Sequence, residues 1–113
     1  MDQELASYLF PAGLLEYFEI SRHTAGEDNI HFYLEERNIL PEEYQFEHAH
    51  SKYFSPEITI EDFPLRGKSV FLHIKRRRWT LLDTNKVVKR DWNLIAKGTR
   101  ITSEFASFLK GIA

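Results

Sequence analysis

The clearest hydrophobic and polar pattern in the chain is the alternation of KSVFLHIKRRRWTLL, residues 68–82. Successive strand residues point to opposite sides, so Val70, Leu72 and Ile74 share one face, which continues as Arg76, Arg78 and Thr80. Phe71, His73, Lys75, Arg77 and Trp79 share the other. DTNK supplies turn residues, and VVKRDWNLIA reads as the returning strand, giving a basic hairpin over residues 68–97. With Thr84-Asn85 at the turn centre, opposed positions sum to 169. That register sets Arg78 against Asp91 and Trp79 against Arg90, a charge pair and a cation–π pair.

Earlier in the chain, DQELASYLFP places Leu5, Tyr8 and Leu9 at i, i+3 and i+4 before Pro11, the pattern of a short N-terminal helix. LLEYFEI and IHFYLEE, separated by the turn-rich RHTAGEDN, predict a hairpin over residues 14–36. RNILPEEYQFEHAHSKYFSPE reads as a packed loop with one helical turn at Pro41–Tyr44. EITIEDFPLRG is a short strand that ends in a turn over Pro64–Gly67. A C-terminal helix over residues 102–111 starts from Thr102 as N-cap and carries Phe105, Phe108 and Leu109 on one stripe. Its end at Lys110-Gly111 reads as a helix continuing toward further polypeptide. The expected fold is α+β: a small antiparallel sheet built from hairpins, with a short N-terminal helix and a C-terminal helix, in one domain of 113 residues.

Composition narrows the chemistry. There is no cysteine, which excludes disulfides, cysteine zinc sites and thiol nucleophiles. The acidic start MDQELASYLF does not resemble a secretory signal, and a cytoplasmic location is expected. No apolar run is long enough for a membrane-spanning helix. Net charge is −2, but residues 1–62 carry 14 acids and 3 bases, and residues 63–113 carry 3 acids and 12 bases. Such a split suggests a polyanionic partner for the basic part; the alternative is that the two halves pack together and neutralise each other.

Catalytic patterns are absent: the serines are scattered, and no nucleophile elbow or glycine-rich phosphate loop occurs. Glu61 and Asp62 are adjacent and point to opposite faces of a strand, without a third ligand at a telling spacing. His48 and His50 are close enough to share a metal, but a tetrahedral site needs two further ligands, so no metal or other cofactor is expected. His31 and His73 fall in apolar strands and are expected to be satisfied inside or at the edge of a sheet. Lys75, Arg76, Arg77, Arg78, Lys89, Arg90, Lys97 and Arg100 are the candidate phosphate contacts, because fixed positive charge and the arginine fork suit phosphate oxygens. By alternation the four consecutive bases divide between two faces. The solvated strand edge is the competing reading. Trp79 and Trp92 are expected in the core.

PEITIEDFPLRGKSVFLHIKRRRW, followed by VVKRDWNLIAKGTRIT, resembles the N-terminal region of bacterial insertion-sequence transposases, in the group where it forms a short, separate upstream reading frame. The likeness runs from about Leu14 to Leu109 and is strongest over residues 56–102. A related, larger transposase family carries a zinc-binding domain with an acidic residue, an apolar residue and proline, a glycine turn, and a strand running into arginines. Asp62, Phe63, Pro64, Gly67, Val70, Leu72, Ile74, Arg76 and Arg77 match that pattern. HAHS lies roughly where that family's first cysteine pair would be, and WTLLDTNK where its second would be. The second offers no thiol or imidazole, and aromatic packing by Phe54, Trp79 and Trp92 is expected in place of zinc.

The resemblance implies a non-catalytic DNA-binding or accessory domain that recognises double-stranded DNA at transposon ends. The alternative is a protein-interaction module that docks on a separate catalytic transposase chain without touching DNA. An inactive remnant is a third reading.

Overall fold

Val70, Leu72 and Ile74 do what their alternation predicts: all three are buried, in a strand at the middle of a sheet. The computed structural model of the chain describes residues 3–110. In it the chain divides into two compact units, residues 20–90 and a helical unit drawn from residues 1–19 and 91–113. The fold is α+β, with two sheets in which antiparallel pairing predominates.

The first sheet has the order β1-β2-β5-β4, formed by Phe18–Ala25, Asn29–Glu36, Lys68–Lys75 and Ile58–Leu65 respectively. β4 and β5 are a hairpin in which Leu65 pairs with Lys68. The two intervening residues, Arg66 and Gly67, both have positive φ, at 53° and 81°, as the tightest right-twisting hairpin turns require. The ladder is irregular between Asp62 and Leu65, where Pro64 has no N–H to donate. β1 and β2 are joined through residues 26–28, with Gly26 N–H donating to the Asn29 carbonyl at 2.8 Å. At the centre, β2 and β5 pair in parallel, from Asn29 with Ser69 to Glu35 with Lys75, so the sheet is not built from hairpins alone.

The second sheet has the order β3-β6-β7, formed by Ala49–Phe54, Arg77–Leu81 and Val87–Val88. β3 lies in the segment read as a loop; its His, Ser and Lys residues hide a strand whose sides still alternate in exposure. The 3₁₀ turn, Glu42–Tyr44, falls where a helical turn was expected. Trp79, Leu81 and Val88 form the buried side of this sheet, with Leu40, Tyr44 and Ala49 packed against them.

The expected basic hairpin over residues 68–97 does not form. Its first strand is cut at Arg76 into β5 and β6, which belong to different sheets. The return strand is only Val87–Val88, and its register pairs Trp79 with Val88 and Thr80 with Val87. Opposed positions therefore sum to 167, two fewer than expected. Asp91 does not face Arg78; it accepts from Asn93 N–H at 3.1 Å and Leu94 N–H at 3.2 Å as the N-cap of α3, Trp92–Gly98. An Asp able to cap a helix ends the strand there.

In the helical unit, α1 is Gln3–Ser7, α2 is Leu14–Tyr17 and α4 is Ser103–Leu109. Leu14, Leu15 and Phe18 are all buried, a spacing that one helical turn satisfies and a strand cannot, so the first hairpin begins at Phe18 and not at residue 14. Phe18 stacks on Trp92 at 5.4 Å, and Tyr17 meets the same indole edge-on at 5.6 Å. Gly13 has a φ of +82°, and a Cβ there would lie 2.9 Å from Ile101 Cγ1.

The predicted stripe of Leu5, Tyr8 and Leu9 is exposed, and Ala6 and Phe10 are buried instead. The helix stops at Ser7, and Tyr8 and Leu9 donate three residues back, to Leu5 and Ala6; that tighter turn before Pro11 shifts the face that points inward. In α4, Thr102 caps Phe105 N–H at 3.0 Å as expected, but Ala106 and Leu109 are the buried pair and Phe108 is exposed. The expected Gly111 end lies outside the described residues.

Ile74→Ala should cost about 2–5 kcal/mol, since it empties a fully buried site, while Leu5→Ala should stay within about 0.5 kcal/mol of the parent. Urea denaturation of both variants checks the assignment of inner and outer positions.

Candidate nucleic-acid interface

The segment HIKRRRWT lies across the join between the two sheets, and its alternation changes phase there. In β5 the even positions are buried, ending with Ile74; Arg76, in the break, is buried too. In β6 the odd positions Trp79 and Leu81 are buried. The reversal puts Lys75 and Arg78 at the surface. The division of the four bases holds, but with a different membership from that of one continuous strand.

Three of the predicted phosphate contacts, Arg76, Arg77 and Arg90, are shielded from solvent and bonded to protein acceptors. Arg76 is buried and donates from Nη2 to the Pro56 carbonyl at 2.8 Å, while its own carbonyl accepts from Ser55 N–H at 2.7 Å. Burial draws its guanidinium below the ordinary value, with the Glu36 carboxylate acting in the opposite direction. Arg77 donates from Nε to the Glu36 carbonyl at 3.0 Å and from Nη1 to Ser51 Oγ at 3.3 Å. Its guanidinium also lies 4.6 Å from the centre of the Phe54 ring. Arg90 donates from Nε to Glu36 Oε2 at 2.7 Å and from Nη2 to the Ile39 carbonyl. It sits 5.5 Å from the centre of the Trp79 ring. The anticipated tryptophan–arginine contact is present, though not between directly opposed residues.

Glu36 is the hub of this network. It ends β2 and is 1% exposed. Oε1 accepts the Arg77 backbone N–H at 2.8 Å, and Oε2 accepts Arg90. Burial pushes its carboxyl above the ordinary range, and the hydrogen bonds from Arg90 and Arg77 pull it back. The sequence offered no signal for this role, since Glu35 and Glu36 look alike in an acidic strand end.

Part of the charge segregation along the sequence is spent inside the fold, at Glu36. Residues 20–90 hold 12 bases and 11 acids, and acids of the first half meet bases of the second at Glu36. Of the remaining candidates, Lys75, Arg78 and Lys89 are exposed in this unit. Lys97 and Arg100 belong to the helical unit, where Arg100 forms an exposed ion pair with Glu16 at 3.1 Å.

The exposed side of the second sheet gathers cations with an aromatic ring. Arg78 pairs with Tyr53, Thr80 pairs with both His50 and Val87, and exposed Lys89 follows directly on β7, which ends at Val88. Tyr53 is 69% exposed. Arg78 is steadied by Ser55 Oγ, which accepts from its Nε at 3.1 Å. Tyr53 and His50 escaped the sequence reading because β3 was not recognised as a strand. Trp79 and Trp92 are both buried, as expected of core residues. No group of three or more histidines, acids or cysteines among the described residues is placed to hold a metal, His48 and His50 included.

Compared with known proteins, the chain matches no family model, no curated sequence and no solved structure.

Glu36→Ala should destabilise the protein by about 3–5 kcal/mol, because it leaves the Arg90 guanidinium without its buried counter-charge. Arg78→Ala should stay within about 0.5 kcal/mol of the parent. Chemical denaturation of the pair separates the structural bases from the surface ones.

Proposed function

We propose that the chain is a non-catalytic nucleic-acid-binding module that contacts the backbone of double-stranded DNA through the outer face of the β3-β6-β7 sheet. The observation that carries this reading is the pairing of exposed Tyr53 with exposed Arg78, with exposed Lys89 just beyond the end of β7. Arg78 and Lys89 supply charge to phosphate oxygens, and the Tyr53 hydroxyl and ring offer a hydrogen bond and a flat contact beside them. Lys75 is a further exposed cation close to the join of the two sheets. The resemblance to the N-terminal region of insertion-sequence transposases gives this module its setting, as the DNA-binding or accessory part that accompanies a catalytic chain at transposon ends.

A second reading rests on a separate observation. In the helical unit Leu5 and Tyr8 are 60% and 77% exposed, and Leu9 is exposed beside them. Tyr8 also lines an open groove with Phe10, Pro11, Leu15, Glu16 and Arg100. An apolar surface of this kind suits a protein partner, such as a catalytic transposase chain.

Fluorescence anisotropy with a duplex probe at low salt distinguishes the two. The DNA reading expects binding that weakens with salt at a log–log slope of about −2 to −3, since each neutralised phosphate contributes roughly −0.9. Arg78→Ala and Lys89→Ala should each reduce that slope by about 1. No binding at low salt, or binding indifferent to both substitutions, overturns it.

A further inference from the structure

A column of stacked side chains crosses the centre of the first sheet. The Arg22 guanidinium lies 3.7 Å from the centre of the Tyr33 ring. Tyr33 stacks on His73 at 4.4 Å with 10° between the planes, His73 on His31 at 5.1 Å, and His31 on Phe71 at 5.1 Å. Within this column His31 Nδ1 and His73 Nε2 are 2.8 Å apart. The 2.8 Å nitrogen contact brings the His31 and His73 rings together at their edges. The column's distinctive chemistry is the contact between two imidazole nitrogens.

That contact spans β2 and β5, the parallel pair. The other strand pairs of this sheet close through short turns at residues 26–28 and 66–67, whereas residues 37–67 separate β2 from β5. We propose that the His31–His73 hydrogen bond is an acid-sensitive clasp across the β2–β5 seam, closed while the pair carries at most one added proton and opened when both imidazoles are protonated. A nitrogen–nitrogen hydrogen bond needs one donor and one acceptor. A first added proton preserves that condition. A second turns both facing nitrogens into donors and sets two positive charges side by side.

The surrounding groups are mixed in sign. From β1, Arg22 adds positive charge at the end of the column. From the β4 side, Thr59 Oγ1 lies 3.2 Å from His73 Nδ1 and Glu57 Oε2 lies 3.7 Å from it. Glu61, opposite Phe71, lies on the same face. Glu35 on β2 and Lys75 on β5 form the next pair beyond Tyr33 and His73. For His73 the balance favours the neutral ring: burial lowers its proton affinity, Glu57 opposes this, and His31 and Arg22 add to the lowering. An imidazole depressed in the folded chain takes up its proton later than in the unfolded chain as pH falls. The stabilisation is therefore whole above the ordinary value of 6.5 and is lost as pH falls through the folded value.

Side-chain NMR titration of the intact chain from about pH 8 to 4.5 tests the clasp, alongside denaturation at several pH values. His73 should take up its proton below the ordinary imidazole value, and His31→Gln should raise that affinity. His31→Gln should also flatten the acid-side loss of stability, while His23→Gln, in the same sheet but outside the column, should leave that loss unchanged. A His73 titration at or above the ordinary imidazole value in the parent overturns the proposal, and this measurement stands even if His31→Gln does not fold. An acid-side loss of equal size in the parent and in a folded His31→Gln variant overturns it too.

Discussion

A single carboxylate, that of Glu36, ties together three stretches of chain that the sequence keeps far apart. It receives the backbone of Arg77 and the side chain of Arg90, and its own carbonyl receives the side chain of Arg77. A buried carboxylate is tolerable only when its lone pairs are filled and its charge is matched. Those demands fix where β2 ends, where β6 begins and where the chain leaves β7. They also decide the fate of the arginine run. The bases closest to Glu36 are held as structural counter-ions, and only those pointing away from it are left to meet a partner.

The proposed contact surface follows from that division. In an uninterrupted strand the basic run would project as a two-sided arm. Here the break at Arg76 reverses which residues face inward, so one side of the second sheet is filled by Trp79, Leu81 and Val88, and the other is left to Arg78 and Tyr53. The surface is smaller than eight scattered bases would make it. Its cations are also held more firmly, since Arg78 leans on Ser55 and Tyr53 is fixed by strand pairing.

Legibility in the sequence followed the range of the interactions. The core of β5, the N-cap at Thr102, the burial of both tryptophans and the α+β class could be read from short windows, because local spacing decides them. Three things could not. Leu14–Tyr17 was read as strand because aromatic and branched residues favour strands, but helical burial of Leu14, Leu15 and Phe18 overrode that preference. β3 was missed because its polar residues pair at a sheet edge, where hydrophobic alternation is not required. The buried role of Glu36 depends on partners 41 and 54 residues away, and no window of local pattern contains them. The contact between Trp79 and Arg90 was anticipated for an imperfect reason, since attraction between ring and cation tolerates a two-residue error in register.

The parallel seam also bears on how the chain reaches its fold. From Asn29 to Glu35, each residue of β2 meets a partner 40 positions further on, while β1 with β2 and β4 with β5 need only a turn of two or three residues. Closing a long loop costs more entropy than closing a turn, and its contacts bring their return only after the closure. On these grounds the two hairpins are expected to form first and the seam between them last. Until it closes, each hairpin exposes a bare strand edge, and in that interval edge-to-edge association with another copy competes with correct assembly.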